Sequence, residues 1–319
     1  MVVRTLGQPL PVSPVIRFPS HRVGPVAIAC WAWVAIAACA GAQAAAGELA
    51  AAGELAAQAA ILRTRDPALG IRGILRLAVE AAAGREPRLV DEAVRVARSM
   101  QETDPGDGNV GNYRWRLGDD AVTDPNAVQF ATQLSTLLRL AHDEALSPAS
   151  RDLLDAMHRD AVVALDRHPV KPGYTNIFLM KTWNHLALGR LGDAQARRRG
   201  EALWHEWLGH VRHHAITEYS SPTYYGVDLD CLGLIARHAE TEAIRRQAEA
   251  MLNFLWAGIA ANYFAPAERL SGAHSRDYDY LFGRGYLDEH LHEAGWLTDW
   301  IPADSAGWLP GAPHEHLRG

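Results

Sequence analysis

A chain of 319 residues that is 48% hydrophobic holds enough apolar matter for one large domain or two small ones. Its formal charge of -6 and isoelectric point near 6.2 exclude a basic nucleic-acid surface. Three cysteines, Cys30, Cys39 and Cys231, exclude a disulfide framework, and no CxxC pair or zinc-type spacing is present.

The first 44 residues read as an export signal. Arg17, His21 and Arg22 precede an apolar run, Val23 to Ala40, broken only by Gly24 and Pro25. Ala42-Gln43-Ala44 then fits a small-x-small cleavage site. Ile36-Ala37-Ala38-Cys39 resembles a lipoprotein processing site, and the run approaches the length of a membrane anchor. The expectation is an exported protein, periplasmic or secreted, with this end as the one candidate for membrane attachment and a lipid on Cys39 as the alternative to cleavage. Residues 45–66 repeat Ala-Gly-Glu-Leu-Ala and read as an Ala-rich helical or flexible spacer.

From residue 67 two kinds of helix alternate. Stretches near 67–83, 124–142, 174–189 and 222–238 are apolar on nearly every side, which predicts inner helices. Stretches near 87–101, 147–168, 193–214 and 241–262 carry one apolar stripe, which predicts outer helices. In the last of these, Ile244, Ala248, Met251, Leu252, Leu255 and Ile259 lie opposite Arg245, Arg246 and Glu249. Ser147-Pro148, Asp124-Pro125 and Ser221-Pro222 fit an N-cap followed by a first-position proline. With a fifth inner helix starting near 276, the hairpins recur at about 50 residues, longer than common solenoid repeats. The expectation is all-α: an α/α toroid, or an incomplete α/α barrel of about five helical hairpins, over 67–300. Residues 301–319 read as an irregular tail.

In such an array the inner helices run parallel and their N-termini meet at one rim. Unusual residues cluster there, repeat after repeat. The second inner helix is preceded by Asn112 and Trp115, then Asp124 and Asn126. The third opens with Asn176, and the fourth with Glu218, Tyr224, Tyr225 and Asp228. The fifth follows His274, Arg276 and Tyr278. Each cluster also has a plain structural reading as capping, turn or core-covering residues. Together they form a groove of aromatics, amides, carboxylates, one His and one Arg, suited to an anionic ligand at helix N-termini. Arg276 can hold a carboxylate, and a cation beside a phenol favours its ionised form. Asn184-His185 does not join this set: His185 lies about 180° round the helix from Asn176 and faces the outer layer. His210, His213 and His214 end an outer helix, where they complement its C-terminus.

The hairpin period together with Tyr174-Thr175-Asn176, Glu218 to Tyr225 and His274-Ser275-Arg276-Asp277-Tyr278 resembles α/α-toroid carbohydrate-active enzymes. The similarity is to polysaccharide lyases of the alginate, glucuronan and heparinase type, over roughly 105–290. The resemblance implies β-elimination on a uronate-containing polysaccharide. Asn176 and Arg276 would neutralise the uronate carboxylate, and His274 with Tyr278 or Tyr225 would move the protons. Asn112, Trp115, Asp124, Asn126, Glu218, Tyr224 and Asp228 would line the groove. The spacing from the Asn-His pair to Arg and Tyr departs from the alginate-lyase pattern. No metal ligands and no cofactor are expected, although a divalent cation could bridge the carboxylates. Two other readings stay open: a toroid glycoside hydrolase using carboxylates from Glu218, Asp228, Asp230 and Asp124, and a non-catalytic sugar-binding or scaffold protein.

Overall fold

The computed structural model describes residue 53, residues 55–277 and residues 286–297. Residues 1–44, read from the sequence as an export signal, the tail at 301–319 and Tyr278 lie outside the described residues.

The fold is all-α. Helix α1 (55–64) precedes α2 (Ile71–Ala83), α3 (Pro87–Ser99), α4 (Ala127–Ala141), α5 (Pro148–Arg167) and α6 (Thr175–Arg190). Then come α7 (Ala194–His214), α8 (Tyr224–His238), α9 (Glu242–Asn262) and α10 (Tyr286–Glu293). A two-stranded antiparallel ribbon, β1 (Tyr263–Phe264) with β2 (Arg269–Leu270), follows α9. Within the Ala-rich segment, α1 buries Ala59 and Leu62, so this end of the spacer is part of the packed body.

Helices α2/α3, α4/α5, α6/α7 and α8/α9 pack as consecutive hairpins. The links at 84–86, 191–193 and 239–241 are too short for anything but an antiparallel turn. The even-numbered helices also pack in series, α2 on α4, α4 on α6, α6 on α8 and α8 on α10. Burial follows the sequence pattern. Every residue of α6 from Thr175 to Gly189 is buried, whereas α9, longer by five residues, buries only Ile244, Ala248, Leu255 and Ile259. Outer helix α7 buries Leu203, Trp204 and Trp207 on one stripe. Each of these large apolar side chains contributes roughly 1.5–3 kcal/mol on burial.

Two boundaries differ from the sequence reading. Residues 271–277 are not helical, so no helix starts at 276; α10 begins at Tyr286 and has no outer partner among the described residues. Helix α4 begins at Ala127, because Asp124 accepts the backbone N–H of Asn126 with Oδ1 (2.8 Å) and so closes a turn ahead of the helix. At α8 the Ser221 hydroxyl accepts the Tyr224 N–H at 2.9 Å and its carbonyl accepts that of Tyr225. Ser221 thus caps the helix as its sequence suggests, with the first regular residue at Tyr224.

Candidate functional site

Backbone contacts bring the N-terminal ends of the inner helices together. Ile71 at the start of α2 donates to the Trp115 carbonyl (2.9 Å), and Trp115 Nε1 donates to Asp124 Oδ2 (3.0 Å) just before α4. At the start of α6 the Asn176 N–H donates to Glu218 Oε2 (2.9 Å). The Leu287 N–H in α10 donates to the carbonyl of Pro222, just before α8, at 2.9 Å. The clusters that the sequence placed at helix starts therefore share one end of the helical array.

The densest of them is built on Glu218, which is only 4% exposed. Its Oε2 accepts both the backbone N–H and, at 2.8 Å, the side-chain amide of Asn176. Burial raises the Glu218 carboxyl above its ordinary range, and the Asn176 donors and Arg276 pull it part of the way back. Arg276 Nε stands 4.0 Å from Glu218 Oε1. Its guanidinium lies 5.4 Å from the ring centre of Tyr174 and 5.8 Å from that of Tyr224, within cation–π range of both. Burial raises both phenols, and Arg276 works against that shift in each case.

Two loops carry this cluster in left-handed backbone. Ser220 has φ 49° and Arg276 φ 55°, a conformation that costs a non-glycine residue roughly 1–2 kcal/mol. The loops hold each other: Ser275 N–H donates to the Tyr219 carbonyl (3.1 Å), and the Ser221 hydroxyl donates to that of Arg276 (3.0 Å). The strain lies where the guanidinium is presented.

Below it, Asp228 is fully buried, and neither carboxylate oxygen has a hydrogen-bond partner. Burial, and then Glu218, push its carboxyl well above the usual range. Farther along α8 lies a network that the sequence reading missed. Asp230 accepts a hydrogen bond from the Tyr286 hydroxyl and sits 3.3 Å from His290 Nε2. Arg72 of α2 donates to the Tyr286 hydroxyl (2.7 Å) and lies over the rings of Phe130 and Tyr286 at 4.8 and 5.0 Å. Arg76 pairs with Glu80 and approaches Glu289 at 3.8 Å, and burial lowers its guanidinium to about 10. The sequence signal was charge inside otherwise apolar helices far apart in the chain, Arg72 and Arg76 on α2 and Asp230 on α8.

The remaining candidates are placed as follows. Asp124 spends one oxygen on Asn126 and the other on Trp115, and it stands close enough to Tyr174 to act on its phenol. Asn112 is buried and ties its loop, donating to the Asp124 carbonyl (3.1 Å) and accepting from Tyr113 N–H. Asn126 precedes α4, and its side-chain oxygen is buried without a partner. Trp115 packs on Phe130, ring centres 5.3 Å apart. Tyr225 is buried, and it is its neighbour Tyr224 that lies against Arg276. His274 pairs with Asp277 in its own loop at 3.8 Å. His185 is sealed and reaches Asp166 of outer helix α5 (3.5 Å), with its imidazole lowered to about 3 by burial. His210 stacks on His214 at the end of α7.

Among the described residues no group of three or more His, Cys, Asp or Glu is arranged to hold a metal ion. No helix among them is long and apolar enough to cross a membrane. Searches of curated proteins and of solved structures return no match. One family model does match, over residues 105–286, which takes in more than half of the chain, helices α4 to α9 and the Glu218–Arg276 cluster. The chain therefore belongs to the family described as Domain of unknown function (DUF8769).

Proposed function

We propose that the protein is an exported polysaccharide lyase that cleaves a uronate-containing chain by β-elimination. Its four hairpins and α10 would form an incomplete α/α toroid with the groove at the N-terminal rim. The observation that supports this most is the half-exposed Arg276 guanidinium set between the phenols of Tyr174 and Tyr224 and backed by Glu218. A uronate carboxylate on Arg276 would lose negative charge, which acidifies the C5–H beside it. A phenolate from Tyr224 or Tyr174 would take that proton, the C4–O bond would break as the C4=C5 double bond forms, and the phenol would return the proton to the leaving oxygen.

The roles shift from the first reading. Asn176 serves Glu218 and would orient Arg276 through it, while Tyr224 replaces Tyr225 as the phenol beside the clamp. Hydrolysis fits less well, because it needs two carboxyls reaching the substrate. Asp228 is sealed, Asp230 is taken by Tyr286 and His290, and both oxygens of Asp124 are engaged.

A screen of acidic polysaccharides read by the ultraviolet absorbance of the unsaturated product tests the proposal. Because burial raises both phenols, the rate is expected to climb with pH from neutral into the alkaline range. Tyr224→Phe and Arg276→Ala should each lower kcat/KM by 100-fold or more, on the order of general-base catalysis. Reducing ends without that absorbance would establish the hydrolase instead. Binding without turnover on any substrate would leave a sugar-binding scaffold.

A further inference from the structure

At the other end of the helices a pocket of about 570 Å³ is lined by Arg139, Gly189, Arg190, Gly192, Arg197 and Glu240, among others. That volume suits a small molecule. Arg139 and Arg190 lie in the last turns of α4 and α6, about 20 Å along their helices from the rim. Arg139 is spoken for, pairing with Asp143 and Asp155. Arg190 is exposed, and no carboxylate pairs with it among the described residues.

Arg197 is placed against its electrostatic preference. It sits in the first turn of α7, where the helix dipole is positive and a cation is disfavoured by up to about 1 kcal/mol. Gly189 fixes it there: a Cβ on Gly189 would come 2.6 Å from the Arg197 Cα, so α6 and α7 touch at this point. The contact brings two guanidiniums to one concavity, beside an α7 N-terminus already capped by Asp193, whose Oδ1 accepts the Gln195 and Ala196 N–H at 2.9 Å each. Exposed Arg237 and half-buried His238 end α8 nearby, and Arg237 and Arg190 help burial to lower the His238 imidazole. The one carboxylate in the lining is Glu240, half-exposed, with both oxygens 3.3 Å from a single nitrogen of Arg197. Its position is that of a tethered anion on a site built for one.

We propose that this pocket binds a tetrahedral oxyanion, the phosphate or sulfate group of a small ester, held by Arg190 and Arg197 in exchange for Glu240. Planar guanidinium forks match such groups two oxygens at a time. The site is independent of the lyase reading.

The test is calorimetric titration of the full chain with inorganic phosphate, sulfate and acetate at matched ionic strength. Saturable binding of phosphate or sulfate at or below about 1 mM is expected. Arg190→Ala and Arg197→Ala should each weaken it roughly tenfold, one charge-assisted contact apiece. Glu240→Gln should tighten it severalfold, a gain that loss of structure would not produce. Arg276→Ala, at the opposite end, should leave it unchanged. A preference for phosphate would assign a phosphoester and a preference for sulfate a sulfoester. No saturable binding of either, acetate binding as tightly, or indifference to Arg190→Ala and Glu240→Gln would overturn the proposal.

Discussion

Asn176→Ala probes the support of the rim cluster, and its cost depends on pH in a way that packing alone would not. The Asn176 amide donates at 2.8 Å to a Glu218 carboxyl that is 4% exposed. A hydrogen bond to a buried charged group is worth roughly 1.5–3 kcal/mol. The substitution also deletes the Asn176 carbonyl oxygen, which is buried without a partner, and that relief offsets part of the loss. A net cost of about 1–2 kcal/mol lowers the melting temperature of a domain of this size by roughly 2–8 °C. The sign with pH follows from linkage. Burial holds the Glu218 carboxyl above its ordinary value, so its contribution is fully present below the unfolded value and is lost as pH rises through the folded one. Removing a donor raises the folded value further. The gap between wild type and Asn176→Ala should therefore be small near pH 4 and widen toward pH 8 in thermal melts followed by circular dichroism. Asn176→Asp, which adds a second carboxyl, should widen it more. A gap constant with pH, or one that narrows, would refute the coupling of Asn176 to Glu218.

Asp228→Asn should stabilise the protein at pH 8 by an amount on the order of 1–3 kcal/mol and have little effect at pH 3, because a buried carboxyl held above its usual range costs stability only where the unfolded chain ionises; equal effects at both pH values in urea titrations would count against this. Gly226→Ala should cost about 1–3 kcal/mol, since the new Cβ would stand 2.7 Å from the Tyr286 carbonyl carbon and push α10 off α8. Hydrogen exchange should show α10 losing protection first. His185→Leu should flatten the acid limb of the stability profile. The His185 imidazole, lowered to about 3, binds its proton in the unfolded state before the folded one, so stability falls as pH drops from about 6.5 toward 3, by a few kcal/mol at most. An unchanged acid limb would mean that His185 ionises in place.

The helical layers were legible because burial is written in periodicity. An inner helix such as α6 is apolar all round, an outer one such as α9 carries a single stripe, and both came out within a few residues of their observed limits. The rim clusters were legible too, since helix N-termini of one repeat must lie beside those of the next. What periodicity could not show is which neighbour each side chain chooses. Tyr224 and Tyr225 are adjacent and chemically alike, yet only the contacts of folded loops put Tyr224 on Arg276 and bury Tyr225. The start of α10 was missed because the polar residues 271–277 look like the earlier helix openings while remaining irregular.

The charges inside the helical array bear on the same question from the side of stability. A buried ion network such as Arg72, Tyr286 and Asp230 is no more stabilising than well-packed apolar residues would be, while breaking it leaves a charge stranded. It joins α2, α8 and α10, helices distant in sequence, and sits near the start of α2 and α10. Arg72 there lies over two aromatic rings, as Arg276 does across α8. Stacking on rings holds a guanidinium in place without using up all its donors. Arg72 gives a donor to Tyr286 in the sealed interior, whereas Arg276, hydrogen-bonded to Tyr174 and Tyr224, has 47% of its side chain exposed. The same kind of pairing thus joins α10 to α2 and α8 through Arg72 and presents a cation between Tyr174 and Tyr224 through Arg276.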